Sequence, residues 1–275
     1  MLQQQMKPIV AQLPGDWEFE FLNAEMEPSE LLVHTEAKAN DNLNEASVSS
    51  VPKPNYTWYN LPFVEDVDRA YRRITSFIES DGPFDGLWAF SQGASMAILL
   101  LLSRHARASN LGSQFKVAVF VSAFLPPSLD SGTVTWERST INNKLLATHV
   151  HGIDCGASCD EHVKWETDPR TSSDFKVLEA HQRTITFPVQ LLLRYSPDNT
   201  NNAQIKIPSV HVRGRKETYD FVNDSFLQFF DPAISSEMIH RGGHHFPRFP
   251  DELVQFAEMV IEAVQSGFEP KNSDY

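Results

Sequence analysis

Cysteine is scarce in this 275-residue chain. Two residues are too few for a disulfide framework, and a reducing, intracellular setting is expected. Long apolar runs are missing as well. The longest wholly apolar stretch is Met96–Leu102, far short of the roughly 20 residues a membrane-spanning helix needs. Positive charge is in deficit: 23 Lys and Arg against 36 Asp and Glu leave a formal charge of −13. That balance disfavours nucleic acid and anionic membrane surfaces, whose phosphates it would repel. The opening residues, MLQQQMKPIVAQLPGDWE, lack the basic-then-apolar layout of a secretory signal, and the closing KNSDY is no peroxisomal address. A soluble, cytoplasmic globular protein is expected.

What is present is core material. Hydrophobic residues make up 41%, with 19 Phe, enough for one large domain spanning 1–275. Trp17–Leu22 (WEFEFL) alternates apolar and acidic residues and predicts a half-buried strand. Val64–Ser80 carries apolar residues at helical spacing and stops at Asp81-Gly82-Pro83. Phe84–Phe90 and Lys116–Ala123 predict strands, the second buried on both faces as in a parallel sheet. Between them, Ala94–Arg104 is apolar nearly all round and predicts a buried helix. From about 125 to 207 regularity is lost, which predicts an irregular, lid-like insertion. It returns as a strand at Pro208–Arg213, a helix at Phe221–Phe230, a short strand at Glu237–His240 and an amphipathic helix at Asp251–Val264. Strands alternating with helices predict an α/β fold, a mostly parallel sheet flanked by helices.

One junction carries chemistry. In Ala89-Phe90-Ser91-Gln92-Gly93 a serine stands between a buried strand and a buried helix, with small residues two positions to either side. That is the layout of a nucleophile elbow, a turn so tight that only small flanking side chains fit. The alternative is a serine that merely caps a helix. A nucleophilic serine needs a base and an orienting acid, which on this type of fold follow it in the order acid, histidine. Glu237–Pro247 reads EMIHRGGHHFP, and its two glycines can present His244. His245 is the obvious rival and His240 a weaker one. For the acid, PSVHVRGRKETYD offers Glu217 and Asp220 just beyond a strand end.

The segments FDGLWAFSQGA, PSVHVRGRKE and HRGGHHFP, in this order and spacing, resemble the serine hydrolase family widespread in fungi, a branch of the α/β-hydrolases that includes esterases and thioesterases. The resemblance runs from about Pro14 onward. It implies Ser91 as nucleophile, His244 as base, Glu217 as the acid with Asp220 as a possible substitute, and the Gln92 amide as an oxyanion donor. It also implies an acyl ester or thioester as substrate, carried on a small molecule or a carrier protein, with a polyketide synthase as a possible partner and no cofactor. The chain departs from the family in three ways. Ala89 stands where glycine is usual and Glu217 where aspartate is usual, and the resemblance places Met1 within the first helix, so that the first strand and its His-Gly turn, source of the second oxyanion amide, are expected to be missing. The last departure supports an alternative, a hydrolase-shaped protein that binds a ligand or synthase partner without turnover.

A rival site lies at His149–His162, HVHGIDCGASCDEH. His149, His151, Cys155, Cys159 and His162 are zinc-compatible ligands, although C-x₃-C with H-x-H is not a common zinc spacing. Inert loop residues are the simpler expectation.

Overall fold

The computed structural model describes residues 2–27, 56–103, 114–130, 132–138, 145–151, 188–195, 205–217 and 224–268. The chain divides into two compact units, Met1–Leu22 with Arg73–Pro126 and Ser196–Tyr275, and Asn23–Arg72 with Pro127–Tyr195.

The first unit is built on a parallel sheet. Its strands are β1 (Gly86–Phe90), β2 (Val117–Val121), β6 (Ser209–Gly214) and β7 (Ser235–His240), hydrogen-bonded in the order β1-β2-β6-β7. The helices are α1 (Leu2–Val10), α2 (Val64–Asp81, which the division at Arg72 assigns partly to each unit), α3 (Gln92–Leu102) and α4 (Pro250–Phe268). Strand periodicity sorts the side chains onto two faces. Val117, Val119, Val121, Val210 and Val212 join Met6 and Ile9 of α1 and Phe256 and Val260 of α4 in one buried core. On the opposite face Phe120 stacks on His211, with ring centroids 5.4 Å apart, and packs edge-on against Phe230. Helix α3 is buried from Ala94 to Leu102, which explains why it is apolar all round.

The second unit holds a small antiparallel sheet of β3 (Thr133–Arg138), β4 (Leu145–His151) and β5 (Val189–Leu192), in the order β4-β3-β5. Its core is Leu61, Val134, Trp136 and Leu191. Tyr195 Oη donates to Asp130 Oδ2 at 2.9 Å. No helix among the described residues is long and apolar enough to cross a membrane.

The α/β class expected from the sequence is what the structure has, with three corrections. Trp17–Leu22 forms no strand. Its alternation is real: Trp17, Phe19 and Phe21 pack on the core, and Phe19 meets Trp88 edge-on at 5.6 Å. Alternation selects the face that packs but supplies no partner strand, and no ladder forms over these residues. The helix expected at Phe221–Phe230 is, within the described residues, a short 3₁₀ helix over Asp224–Phe229. The middle of the chain is not strandless, because β3, β4 and β5 fall inside it. Their pairing is irregular at one point, where β4 carries an extra residue, Thr148, opposite the step from Thr135 to Trp136.

Candidate active site

Ser91 sits directly after β1 with φ 54° and ψ −123°. Positive φ is disfavoured for any residue with a Cβ and costs on the order of 1–3 kcal/mol. The elbow is held from both sides. The Ser91 N–H donates to the carbonyl of Val121 at the end of β2, at 2.9 Å, and the Ser91 carbonyl accepts from Ser95 N–H at 3.1 Å, inside α3. Ser91 precedes a helix, yet its side chain makes no capping hydrogen bond. The hydroxyl goes elsewhere.

It goes to His244. Ser91 Oγ lies 2.7 Å from His244 Nε2, and His244 Nδ1 lies 2.9 Å from Glu217 Oε2. A carboxylate can only accept, so the Nδ1 proton belongs to the bond with Glu217 and Nε2 is left to accept from the serine. Both side chains are sheltered, with 17% of His244 and 9% of Glu217 exposed. Low exposure strengthens each hydrogen bond by excluding competing water.

Register explains how residues so distant in sequence meet. Strands β6 and β7 run parallel with Gly214 opposite His240, so the loops that follow them leave the same edge of the sheet. Those loops are laced together. Arg215 N–H donates to the His240 carbonyl and Lys216 N–H to the Gly242 carbonyl, both at 2.8 Å. Glycine at 214 permits the approach, since a Cβ there would lie 2.6 Å from the Gly242 carbonyl oxygen and closer still to that of Gly243. On the far side of the turn, Glu252 Oε1 accepts from the backbone N–H and Nε of Arg241, at 2.7 and 2.9 Å. Arg241 also pairs with Asp251. Both acids stand in the first turn of α4.

Of the candidates, the structure therefore brings Ser91, Glu217 and His244 together. Gln92 is the first residue of α3, a position whose amide the helix itself does not use. Asp220 lies outside the described residues, as do Cys155, Cys159 and His162 of the rival cluster. His149 and His151 fall on β4. His245 and His240 do not meet Ser91: His245 bonds to the Gly243 N–H and the Phe246 carbonyl, and His240 to the Gly242 N–H. One contributor escaped sequence reasoning. Phe90 stacks obliquely on the His244 ring at 5.0 Å and on Phe246 at 5.6 Å. Its signal was available, because it is the aromatic residue immediately before the serine.

Comparison with known proteins defines the class. A family model described as "Serine hydrolase (FSH1)" matches residues 1–256, and the chain belongs to that family. It is 48% identical to "Hydrolase FUB4" of Fusarium oxysporum f. sp. lycopersici over 267 residues, covering 97% of this chain and 94% of that one. It is 46% identical to "Hydrolase FUB4" of Gibberella moniliformis over the same shares. "Esterase alnB" of Emericella nidulans is 26% identical over 281 residues, with 96% of this chain and 92% of that one covered.

Proposed function

We propose that the protein is a serine esterase or thioesterase that works through an acyl-enzyme at Ser91. The observation that carries this reading is the continuous chain from Ser91 Oγ through His244 to Glu217, with links of 2.7 and 2.9 Å. Ser91 Oγ attacks the acyl carbonyl while His244 Nε2 takes its proton. Glu217 holds the imidazole in the productive tautomer and stabilises the cation that forms. The oxyanion of the tetrahedral intermediate is stabilised by the Gln92 amide. Collapse expels the alcohol or thiol, which leaves with the proton from His244. Water, deprotonated by the same histidine, then attacks the acyl-serine and regenerates the hydroxyl. No cofactor enters this sequence.

The acyl donor is an ester or a thioester, on a small molecule or on the carrier protein of a polyketide synthase. The family resemblance supports this class, and the relative named an esterase supports ester cleavage. The test is a matched pair of substrates carrying one acyl group, an activated oxygen ester and an N-acetylcysteamine thioester. An acyl-enzyme burst with either supports the mechanism, and their ratio of kcat/KM ranks the leaving groups. Absence of turnover with both, on a protein shown to be folded, overturns the reading in favour of a hydrolase-shaped binding protein.

A further inference from the structure

Two histidines flank the turn that carries His244, and neither takes part in the proton relay. His240 closes β7 and is fully buried. Its Nδ1 accepts the N–H of Gly242 at 3.1 Å. His245 accepts the N–H of Gly243 on its Nε2 at 3.3 Å, while its own Nδ1 donates to the Phe246 carbonyl at 2.6 Å. The two rings lie 5.2 Å apart, and Gly242 is sandwiched by them. A Cβ on Gly242 would sit 2.6 Å from His245 Nε2 and 2.9 Å from His240 Cε1.

We propose that His240 and His245 are positioning residues, neutral imidazoles that accept the successive amide protons of Gly242 and Gly243 and thereby fix the backbone from which His244 reaches Ser91. Two glycines in a row have more backbone freedom than any other pair, so a turn built on them must be held from outside. Each amide also needs an acceptor once it is shielded from water. A carboxylate would supply one along with a negative charge beside His244. A neutral imidazole supplies one without it.

The tautomers fit the assignment. His245 uses Nδ1 as donor and Nε2 as acceptor, which is one neutral form. At His240, an accepting Nδ1 leaves the ring proton on Nε2, the other neutral form, with the His245 backbone within reach of the ring. Burying an imidazole is costly, and an apolar side chain would avoid that cost if the position needed only to be filled. The acceptor on the other side of the ring is what a histidine adds. Burial pushes the pKa of His240 down to about 4 and that of His245 below its usual value, which keeps both rings neutral near pH 7. The charged and titratable groups facing them are Glu252 and Glu217 around His240, and Arg248, His244 and Glu217 around His245, in addition to each other.

The consequence for rate rests on the Ser91–His244 reading; the bracing of the turn does not. Two pairs of variants test both. His240→Leu and His245→Leu remove an acceptor. His240→Asn restores one near the place of Nδ1, and His245→Gln near that of Nε2. Amide exchange of Gly242 and Gly243 is followed by NMR on glycine-labelled protein, alongside fluorophosphonate labelling of Ser91 and kcat and KM on an activated ester. Each leucine variant is expected to speed exchange of its own glycine by at least about tenfold and to lower labelling and kcat by about 10- to 100-fold. KM should stay within about threefold, and the Asn and Gln variants should recover most of the loss. Folded leucine variants with unchanged glycine exchange would overturn the proposal. So would Asn and Gln variants as impaired as their leucine counterparts. If the leucine variants do not fold, the Asn and Gln variants decide alone, and loss of glycine protection in them rejects the bracing role. If the wild type neither labels nor turns over ester, the catalytic reading fails, and glycine exchange still decides the brace.

Discussion

Replacing Gly214 by alanine separates a positioned site from a chance alignment of side chains. Gly214 belongs to β6 and is not one of the three proposed reacting groups. A Cβ there would meet the Gly242 carbonyl oxygen at 2.6 Å and that of Gly243 closer still. Ordinary non-bonded carbon contacts are about 3.5–4.0 Å, so the turn bearing His244 would retreat by about 1 Å. The Ser91–His244 separation of 2.7 Å would then exceed hydrogen-bonding distance. A misplacement of that size is expected to lower kcat by about 10²-fold. Overpacking should cost about 1–3 kcal/mol of stability. Gly15→Ala is the control, since a Cβ at that position meets nothing within 4 Å. The assay is labelling rate and ester turnover for both variants, with urea unfolding for stability. A Gly214→Ala protein with wild-type rate and stability would refute the close-approach argument.

Glu217→Gln should reduce turnover on the order of 10³- to 10⁴-fold, because the amide no longer stabilises the imidazolium or enforces its tautomer. Asp220→Asn should leave turnover near wild type, and steady-state kinetics on the two side by side reveal any exchange of roles. His211, buried between Phe120 and Phe230, has its pKa lowered to about 3 by desolvation. The unfolded chain therefore takes up a proton that the native ring refuses, so stability is full above pH 6.5 and is lost as pH falls toward 3. By pH 5 the loss is about 2 kcal/mol. His211→Phe should weaken that dependence by about half in urea unfolding at pH 7 and pH 5, leaving a comparable share due to His240, whose native pKa of about 4 also lies below pH 5; an equally steep loss in the variant would show that His211 is not a source of it.

Much of the candidate site was legible because the chemistry proposed for it needs particular residues at particular spacings. Ser91 was marked by the small residues around it and by the apolar runs before and after, and the diglycine turn pointed to His244. Register was not legible. Nothing in PSVHVRG and EMIHRGG states that Gly214 lies opposite His240, yet that pairing sets Glu217 beside His244. The roles of His240 and His245 were hidden for a related reason. As sequence they read as alternative bases, and only the direction of each ring toward a glycine amide separates them from His244. The Trp17–Leu22 segment was misjudged for a physical reason: its alternation reports a packed face, because side-chain periodicity records burial and not backbone pairing.

The most direct test of the central claim is intact mass after exposure to a serine-directed fluorophosphonate, on the wild type and on Ser91→Ala. The account predicts one adduct on the wild type, mapped to Ser91, and none on the variant. A folded wild type that takes no adduct, or a variant that still takes one, would contradict it.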